Sequence, residues 1–481
     1  MSGPAANVAA MTPPTRTPPS PSRTTRLGYR CSDCGWTAVK WAGRCGGCAT
    51  WGSLEEVDSP AAGPRTPTAA LLTAEARPIG EVDPAAAQAR STGVAELDRV
   101  LGGGLVPGAV VLVAGEPGVG KSTLLLDVAG RAAGSGHTVL YVSAEESASQ
   151  IRLRADRIGA VHPRLLVTSE TDLAQVLGQI DATNPDLLVV DSVQTIASAL
   201  VEGSPGGVSQ VREVTGALIA AAKSRGLPVL LVGHVTKDGG IAGPRLLEHL
   251  VDVVCQFEGD RHSRLRLVRA VKNRYGPTDE VGCFDLSDSG ITGLADPSGL
   301  FLSGPRSPIP GTCVTVTLEG RRPMPTEIQT LVTPSALGTP RRTSSGVDGS
   351  RVAMMLAVLL ARLGMDTSSH DVYVATVGGA RAVEPATDLA VALALVSAHQ
   401  QMALRDTTVV VGEVGLAGEV RPTAGVERRL AEAVRLGFTT AVVPRARRGA
   451  ATAAPPGREV VEVGDLAEAL AAALAPRATG S

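Results

Sequence analysis

The sequence predicts an α/β protein: two units of alternating strands and helices in series, behind a small four-cysteine module. Two observations carry most of this. Residues Gly115–Ser122 match G-x-x-x-x-G-K-[ST], set between the apolar run Ala109–Ala114 and a helical stretch from Thr123. From that loop onward, short apolar strands alternate with helical patterns, as a parallel sheet covered by helices requires. At 481 residues the chain is long enough for two or three domains, by the rough rule of ~100–200 residues each.

At the N-terminus, residues 1–27 are rich in Pro, Ser and Thr with scattered Arg and have no apolar core segment. A disordered tail is expected there, not a secretory signal. Cys31-x-x-Cys34 and Cys45-x-x-Cys48 follow, ten residues apart. That is zinc-ribbon spacing: each pair sits on a tight knuckle, eased by Gly35, Gly46 and Gly47, and four thiolates close a tetrahedral site. With four protein ligands no position stays open, so the zinc is expected to be structural. The module over 28–56 has little core besides Trp36, Trp41 and Trp51, so metal should supply most of its folding energy. Two disulfides are the alternative, but nothing else in the chain suggests export. Cys255, Cys283 and Cys313 are isolated and read as small core residues.

Residues 57–90 carry Pro, Ala and Gly without periodicity and read as a linker. The first α/β domain is expected over 91–304. It opens with a short helix and a glycine turn up to Leu105, then strands at His137–Ser143, Leu165–Thr168, Leu187–Asp191 and Pro228–Gly233. Arg261 to Glu280 mixes polar and apolar residues as a hairpin region does. After a proline-rich break near Pro305–Pro310, a second α/β domain is expected over 310–475. Its strands are read at Cys313–Glu319, Asp371–Val377, Thr407–Val411 and a last one at Thr440–Val443. Its helices are read at Ser350–Leu363, Thr387–His399 and Glu427–Leu436.

Composition narrows the function. Aromatics are 2 % and hydrophobic residues 44 %, so Ala, Val and Leu must build the cores. The net charge of −2 excludes a globally basic surface, and any nucleic-acid contact must be local. No apolar run reaches the ~18 residues needed to cross a membrane. A cytoplasmic protein is expected.

The loop chemistry is more specific. Gly115, Glu116, Pro117, Gly118, Val119 and Gly120 would wrap backbone N–H groups around the phosphates of ATP. Lys121 would meet the β/γ oxygens, and Ser122 and Thr123 open the following helix. Ser122 also offers a hydroxyl to Mg²⁺. A phosphate loop needs a metal-holding carboxylate and a group that positions water. Asp191, ending the apolar strand Leu187–Asp191, supplies the first. Glu145 in Tyr141-Val-Ser-Ala-Glu-Glu-Ser147 is the favoured base, and Glu146 instead caps the next helix. His234 ends another strand where a γ-phosphate sensor would sit, although a lone strand-end His is often structural.

The four-cysteine module, GEPGVGKST, YVSAEES, VVDS and Lys272-Asn273-Arg274-Tyr275-Gly276, in this order, resemble the bacterial RadA (Sms) family of DNA-repair ATPases, relatives of RecA. The family form of the last motif is K-N-R-F-G, so Tyr275 departs by one hydroxyl. The resemblance implies a RecA-like ATPase domain in a ring, as a homo-hexamer, that binds single-stranded and branched DNA. It further implies that the ring drives branch migration and works beside a RecA-type recombinase. In related rings, basic residues of one subunit reach the nucleotide of the next, and Lys272 and Arg274 are the candidates here. Arg261, Arg264, Arg266 and Arg269 make the surrounding segment the densest basic patch, so DNA phosphates are the alternative target.

Residues 310–475 resemble the proteolytic domain of Lon protease in motif order, through Val377–Asp388 and Gly412–Pro422. That family pairs a serine with a lysine. Ala386 stands where the serine would fall and Glu427 where the lysine would, so the resemblance implies a domain without peptidase activity. Arg321, Arg322, Arg341, Arg342 and Arg351 are its candidate phosphate contacts, although for any one of them a solvated face is the commoner role. A RecA-like nucleotide switch that assembles partner proteins without translocating on DNA is the other reading of the whole chain.

Overall fold

The computed structural model describes residues 28–56, 76, 78–234, 247–259, 264–303, 309–336, 338–446 and 457–474. The tail expected over 1–27, the linker up to residue 75 and Arg261 lie outside the described residues. The chain divides into two units, Met1–Val82 and Asp83–Ser481.

In the first unit, strands β1 (Tyr29–Cys31), β2 (Thr37–Ala38) and β3 (Leu54–Glu56) form an antiparallel sheet in the order β2-β1-β3. Its two cysteine knuckles are closed by Gly35 N–H on the Cys31 carbonyl and Ala49 N–H on the Cys45 carbonyl, both at 3.0 Å. One expectation fails here. The buried cluster is Cys31, Cys45 and Leu54 with Tyr29 against it, whereas Trp36, Trp41 and Trp51 are 40 %, 63 % and 74 % exposed. A three-stranded ribbon this thin has no second layer to cover an indole.

In the second unit, helix α1 (Ala95–Leu101) ends on Gly102, whose φ of 82° is the left-handed cap glycine tolerates. Then come β4 (Val110–Gly115), α2 (Lys121–Gly134), β5 (Val139–Ser143), α3 (Ala148–Ile158), β6 (Leu165–Ser169), α4 (Leu173–Thr183), β7 (Leu187–Asp191), α5 (Val208–Arg225) and β8 (Val229–His234). Strands β9 (Val253–Gly259), β10 (Leu265–Asn273), β11 (Val281–Ser287) and β12 (Gly290–Gly293) complete a sheet of order β12-β11-β10-β9-β4-β8-β7-β5-β6. Pairings from β9 through β6 are parallel, and those from β9 through β12 antiparallel. Both faces of the parallel part are covered. In β4, Val111 and Val113 enter one core while Val110, Leu112 and Ala114 enter the other. This is why such strands read as unbroken apolar runs.

A second sheet of order β15-β16-β14-β13-β17-β20-β21 follows. Its strands are β13 (Thr312–Glu319), β14 (Arg322–Pro334), β15 (Arg342–Ser345), β16 (His370–Thr376), β17 (Thr408–Val410), β20 (Thr440–Pro444) and β21 (Glu459–Val463). A two-stranded pair, β18 (Glu413–Val414) and β19 (Val420–Arg421), lies apart from it. The helices are α6 (Gly349–Leu363), α7 (Asp388–Gln400), α8 (Val426–Arg435) and α9 (Leu466–Ala473). Helix α7 is buried from Asp388 through Ala398 and forms the centre of this body's core. Thr440–Val443 is therefore not the last strand, because β21 and α9 follow it.

A buried ion pair joins the two bodies of the second unit. The Glu96 carboxylate, on α1, accepts from the Cys283 N–H at 2.9 Å and pairs with Arg322 at the start of β14. Arg322 also donates to the carbonyls of Leu294 and Ala295 at 2.9 Å and of Val281 at 3.1 Å. Arg269–Glu319 at 3.1 Å and Arg435–Asp296 at 2.6 Å flank it. Among the described residues no helix is long and apolar enough to cross a membrane.

Candidate nucleotide and metal sites

The register of the first sheet gathers the site. Gly115 lies opposite His234, and Ser143 opposite Asp191, so the carboxyl ends of β4, β8, β5 and β7 are level. In open parallel sheets that edge is where ligands bind. The loop 116–120 turns there, with Gly118 at φ 80° and Gly120 at φ 109°, a region glycine enters freely. A side chain on Gly115 would meet the Phe257 carbonyl at 2.5 Å, so glycine is required for close strand contact.

Lys121 is buried at the start of α2, and its ammonium donates to the carbonyls of Gly115 (2.8 Å) and Glu116 (2.9 Å). Burial holds its pKa below the usual lysine value, against the pull of Asp191 and Glu145. The Asp191 carboxylate is buried, and its Oδ2 accepts the Tyr141 hydroxyl at 2.8 Å. Tyr141 itself is pushed well above the ordinary tyrosine pKa by burial and by that carboxylate, so it stays a donor. No described residue donates to Asp191 Oδ1, which leaves a hard oxygen unpaired at the carboxyl edge of β7. That donor set fits Mg²⁺.

Glu145 is held from two sides: Ser192 Oγ donates to its Oε1 at 2.6 Å, and His234 Nε2 lies 3.1 Å from the same oxygen. Gln194 brackets the His234 backbone, at 3.3 Å to its carbonyl and 3.4 Å from its N–H. The His234 Nδ1 is buried without a partner among the described residues. Glu146 does not cap the next helix. Ser147 does, in a capping box with Gln150, while Glu146 pairs with Arg154. Lys121, Asp191, Glu145 and His234 thus share one cluster. Tyr141, Ser192 and Gln194 support it and were not singled out from sequence. The one available sign was a tyrosine in a strand of aliphatic neighbours.

Lys272 and Arg274 are not in this cluster. Lys272 donates to the carbonyls of Glu248 (2.6 Å) and Val251 (2.8 Å). Its pKa is lowered by burial and then by Arg274. Arg274 pairs with Asp252, whose N–H binds the Val110 carbonyl. Val110 starts β4, so Arg274 lies five strand residues, roughly 17 Å, behind Gly115.

The basic patch around them is mostly spent within the chain. Arg264 pairs with Asp285 and Arg269 with Glu258 and Glu319. Buried Arg266 donates to the Val119 carbonyl of the phosphate loop at 3.2 Å. In the second body, Arg321 pairs with Asp279 and Glu280, Arg322 with Glu96, and Arg351 with Asp388. Arg342 donates to the carbonyls of Arg341, Thr367 and His370, and Arg341 itself makes a backbone bond to Asp371. Ala386 is buried, and near it the buried Arg429 guanidinium binds Glu384.

In the ribbon, Cys31 and Cys48 sulfurs are 3.6 Å apart, as are those of Cys34 and Cys45. All four lie within 4.8 Å of one another. Four Zn–S bonds of about 2.3 Å place sulfurs about 3.8 Å apart, so the set fits a closed zinc site. Cys255, Cys283 and Cys313 are buried, and burial pushes the Cys255 thiol up to about 12 and Cys283 to about 11.

Comparison with known proteins agrees with this geometry. An AAA domain matches residues 76–240, a rubredoxin metal-binding domain 29–56, and the subunit ChlI of Mg-chelatase 359–447. The DNA repair protein RadA of Mycolicibacterium smegmatis is 54 % identical, covering 92 % of this chain and 96 % of that protein. That of Bacillus subtilis is 42 % identical, covering 94 % and 99 %. This chain belongs to the DNA repair protein RadA family. Among solved structures, the RadB recombinase matches 42 % of this chain and 99 % of its own at 26 % identity and a TM-score of 0.34. The fold class is α/β, with a RecA-like P-loop ATPase domain, an N-terminal zinc ribbon and a Lon-protease-like C-terminal body. The family is one of DNA-repair and recombination ATPases, and its cofactors are ATP with Mg²⁺, and Zn²⁺ for the four-cysteine ribbon.

Proposed function

We propose that the protein is a DNA-dependent ATPase of homologous recombination, which binds single-stranded DNA and promotes branch migration of recombination intermediates. The observation that carries this is the Lys121–Asp191–Glu145–His234 cluster at one edge of the sheet, with Lys272 and Arg274 far behind it. The cluster accounts for ATP binding and water activation within a subunit. Lys121 would exchange the loop carbonyls for phosphate oxygens, and Asp191 with Ser122 would hold Mg²⁺, which neutralises phosphate charge. Glu145, fixed by Ser192 and His234, would orient and deprotonate the attacking water. His234 would register the γ-phosphate through its contact with Glu145.

Lys272 and Arg274 would then serve the nucleotide of the next subunit, in a homo-hexameric ring acting beside a RecA-type recombinase on single-stranded and branched DNA. A DNA substrate supports a cytoplasmic location. The test is ATP hydrolysis by the zinc-loaded protein with and without single-stranded DNA, beside Lys121→Ala and Lys272→Ala. Strong stimulation, abolished at Lys121 and impaired at Lys272, is the expected result. Hydrolysis indifferent to DNA would favour a nucleotide switch that assembles partner proteins.

A further inference from the structure

The chain has three tryptophans, and all of them stand exposed on the ribbon. A structural zinc site needs cysteines and tight knuckles, and neither demands an indole in water. Three glycines of the module, Gly43, Gly46 and Gly47, lie against these rings. A side chain at Gly46 or Gly47 would strike Trp36 at 2.6 or 2.9 Å, and one at Gly43 would press Trp51 at 3.3 Å beside Trp41 at 3.8 Å. Trp36 therefore lies against the bare backbone of the Cys45–Cys48 knuckle, and Trp51 against Gly43.

Cations stand near these residues in strand register, beside a neighbouring glycine or in sequence. Arg44 is the bridge partner directly opposite Trp51, where cross-strand side chains adjoin. Lys40 precedes Trp41 in sequence. The Arg30 guanidinium reaches Gly35, next to Trp36, so that a Cβ there would lie 3.6 Å from its Nη2. None of the three pairs with a carboxylate of the described residues, and Arg44 donates only to the Ala49 carbonyl at 2.7 Å. In the second unit the candidate DNA-binding arginines are mostly engaged by carboxylates or carbonyls of the chain.

We infer that the surface formed by Trp36, Trp41 and Trp51 with Arg30, Lys40 and Arg44 is a stacking platform for single-stranded DNA. This rests on the single-strand reading above and names the site that serves it. Indole faces take any base, and an adjoining cation takes the phosphate between bases. Asp33, Glu55 and Glu56 balance the three cations within the ribbon. Stacking makes the contact tolerant of base identity, and the three cations on phosphates make it salt-dependent.

The placement of the tryptophans makes the test direct, because the indole emission of the full chain comes from the ribbon alone. The zinc-loaded protein is titrated with oligo(dT), following tryptophan fluorescence and, separately, anisotropy of a labelled strand. Quenching that saturates with the anisotropy is expected. Trp41→Ala/Trp51→Ala should bind the strand at least ~10-fold more weakly, at the lower end of what stacking losses give. Trp41→Phe/Trp51→Phe should recover part of that loss. Zinc content and DNA-free ATP hydrolysis should match the parent in both variants, which separates lost stacking from lost folding. Binding without quenching, at unchanged affinity in the alanine variant, would overturn the inference alone. No binding by the parent would overturn the single-strand reading, and this inference with it.

Discussion

The Tyr141 hydroxyl donates a 2.8 Å hydrogen bond to Oδ2 of Asp191, inside a core where both side chains are buried. The bond occupies one carboxylate oxygen and leaves Oδ1 without a donor among the described residues. Tyr141 enters the same core as Val113 and Val189, so the ring is held by packing and only its oxygen is polar. Tyr141→Phe should keep the fold and lose the orientation. Hydrogen bonds to charged groups contribute about 1.5–3 kcal/mol. The Mg²⁺ concentration for half-maximal hydrolysis should therefore rise about 10-fold or more, with a smaller change in turnover at saturating metal. A Mg²⁺ titration of steady-state ATPase activity checks this, and an unchanged midpoint would assign Tyr141 to packing alone.

Lys272 and Arg274 raise a different question, because their own loop is out of reach. If they complete the neighbour's site, defects should complement across a subunit seam. Lys121→Ala subunits keep Lys272 but cannot hold nucleotide productively, and Lys272→Ala subunits are the reverse. Random mixing at equal ratio should restore about a quarter of parental hydrolysis, since only seams of one orientation are complete. Each variant alone should stay near background. A purely structural Lys272, pinning Glu248 and Val251, would give no recovery on mixing.

Much of this site was legible in the sequence because its parts are local. A glycine loop between strand and helix and an acidic strand end each occupy a few consecutive residues. What was not legible depends on contacts between distant residues. The Tyr141–Asp191 and Ser192–Glu145 bonds arise only when β5 and β7 lie side by side. The basic patch misled because charge along a sequence does not show that Asp285, Glu258 and Glu319 stand opposite Arg264 and Arg269. Strand β14 was hidden by Pro323 and Pro325. Both precede Ile328, where β16 first pairs, so their missing N–H groups fall where the strand has one neighbour. The ribbon tryptophans were misassigned to a core because hydrophobicity gives no direction in so thin a module.

The Glu96–Arg322 pair links the two bodies of the second unit with both side chains buried. Removing one partner leaves the other charge unpaired in a dry seam, at a cost of about 3–5 kcal/mol. Glu96→Gln or Arg322→Met should thus lower the thermal midpoint by several degrees. Glu96→Leu/Arg322→Met together should recover much of the loss, because no lone charge remains. Differential scanning calorimetry of the three variants checks this. Equal losses in single and double variants would show that the carbonyl contacts of Arg322, and not its charge pairing, hold the seam.

Asp252 gives a pH dependence of defined sign. Its buried carboxylate accepts from the Val110 N–H at 3.0 Å, from Lys223 at 2.7 Å and from Arg274 at 3.2 Å. Burial alone would raise its pKa, but Lys223, the Val110 N–H and Arg274 outweigh it and hold the group below the usual aspartate value. A carboxyl that ionises more readily folded than unfolded adds stability above the unfolded pKa, about 3.9. That stability is lost as pH falls through the folded value. Asp252→Asn should therefore cost about 1–3 kcal/mol at neutral pH. The parent and variant should converge as pH drops below about 4. Thermal midpoints of both proteins between neutral and acid pH are the check. Curves that stay parallel would show that Asp252 is not a source of the acid sensitivity.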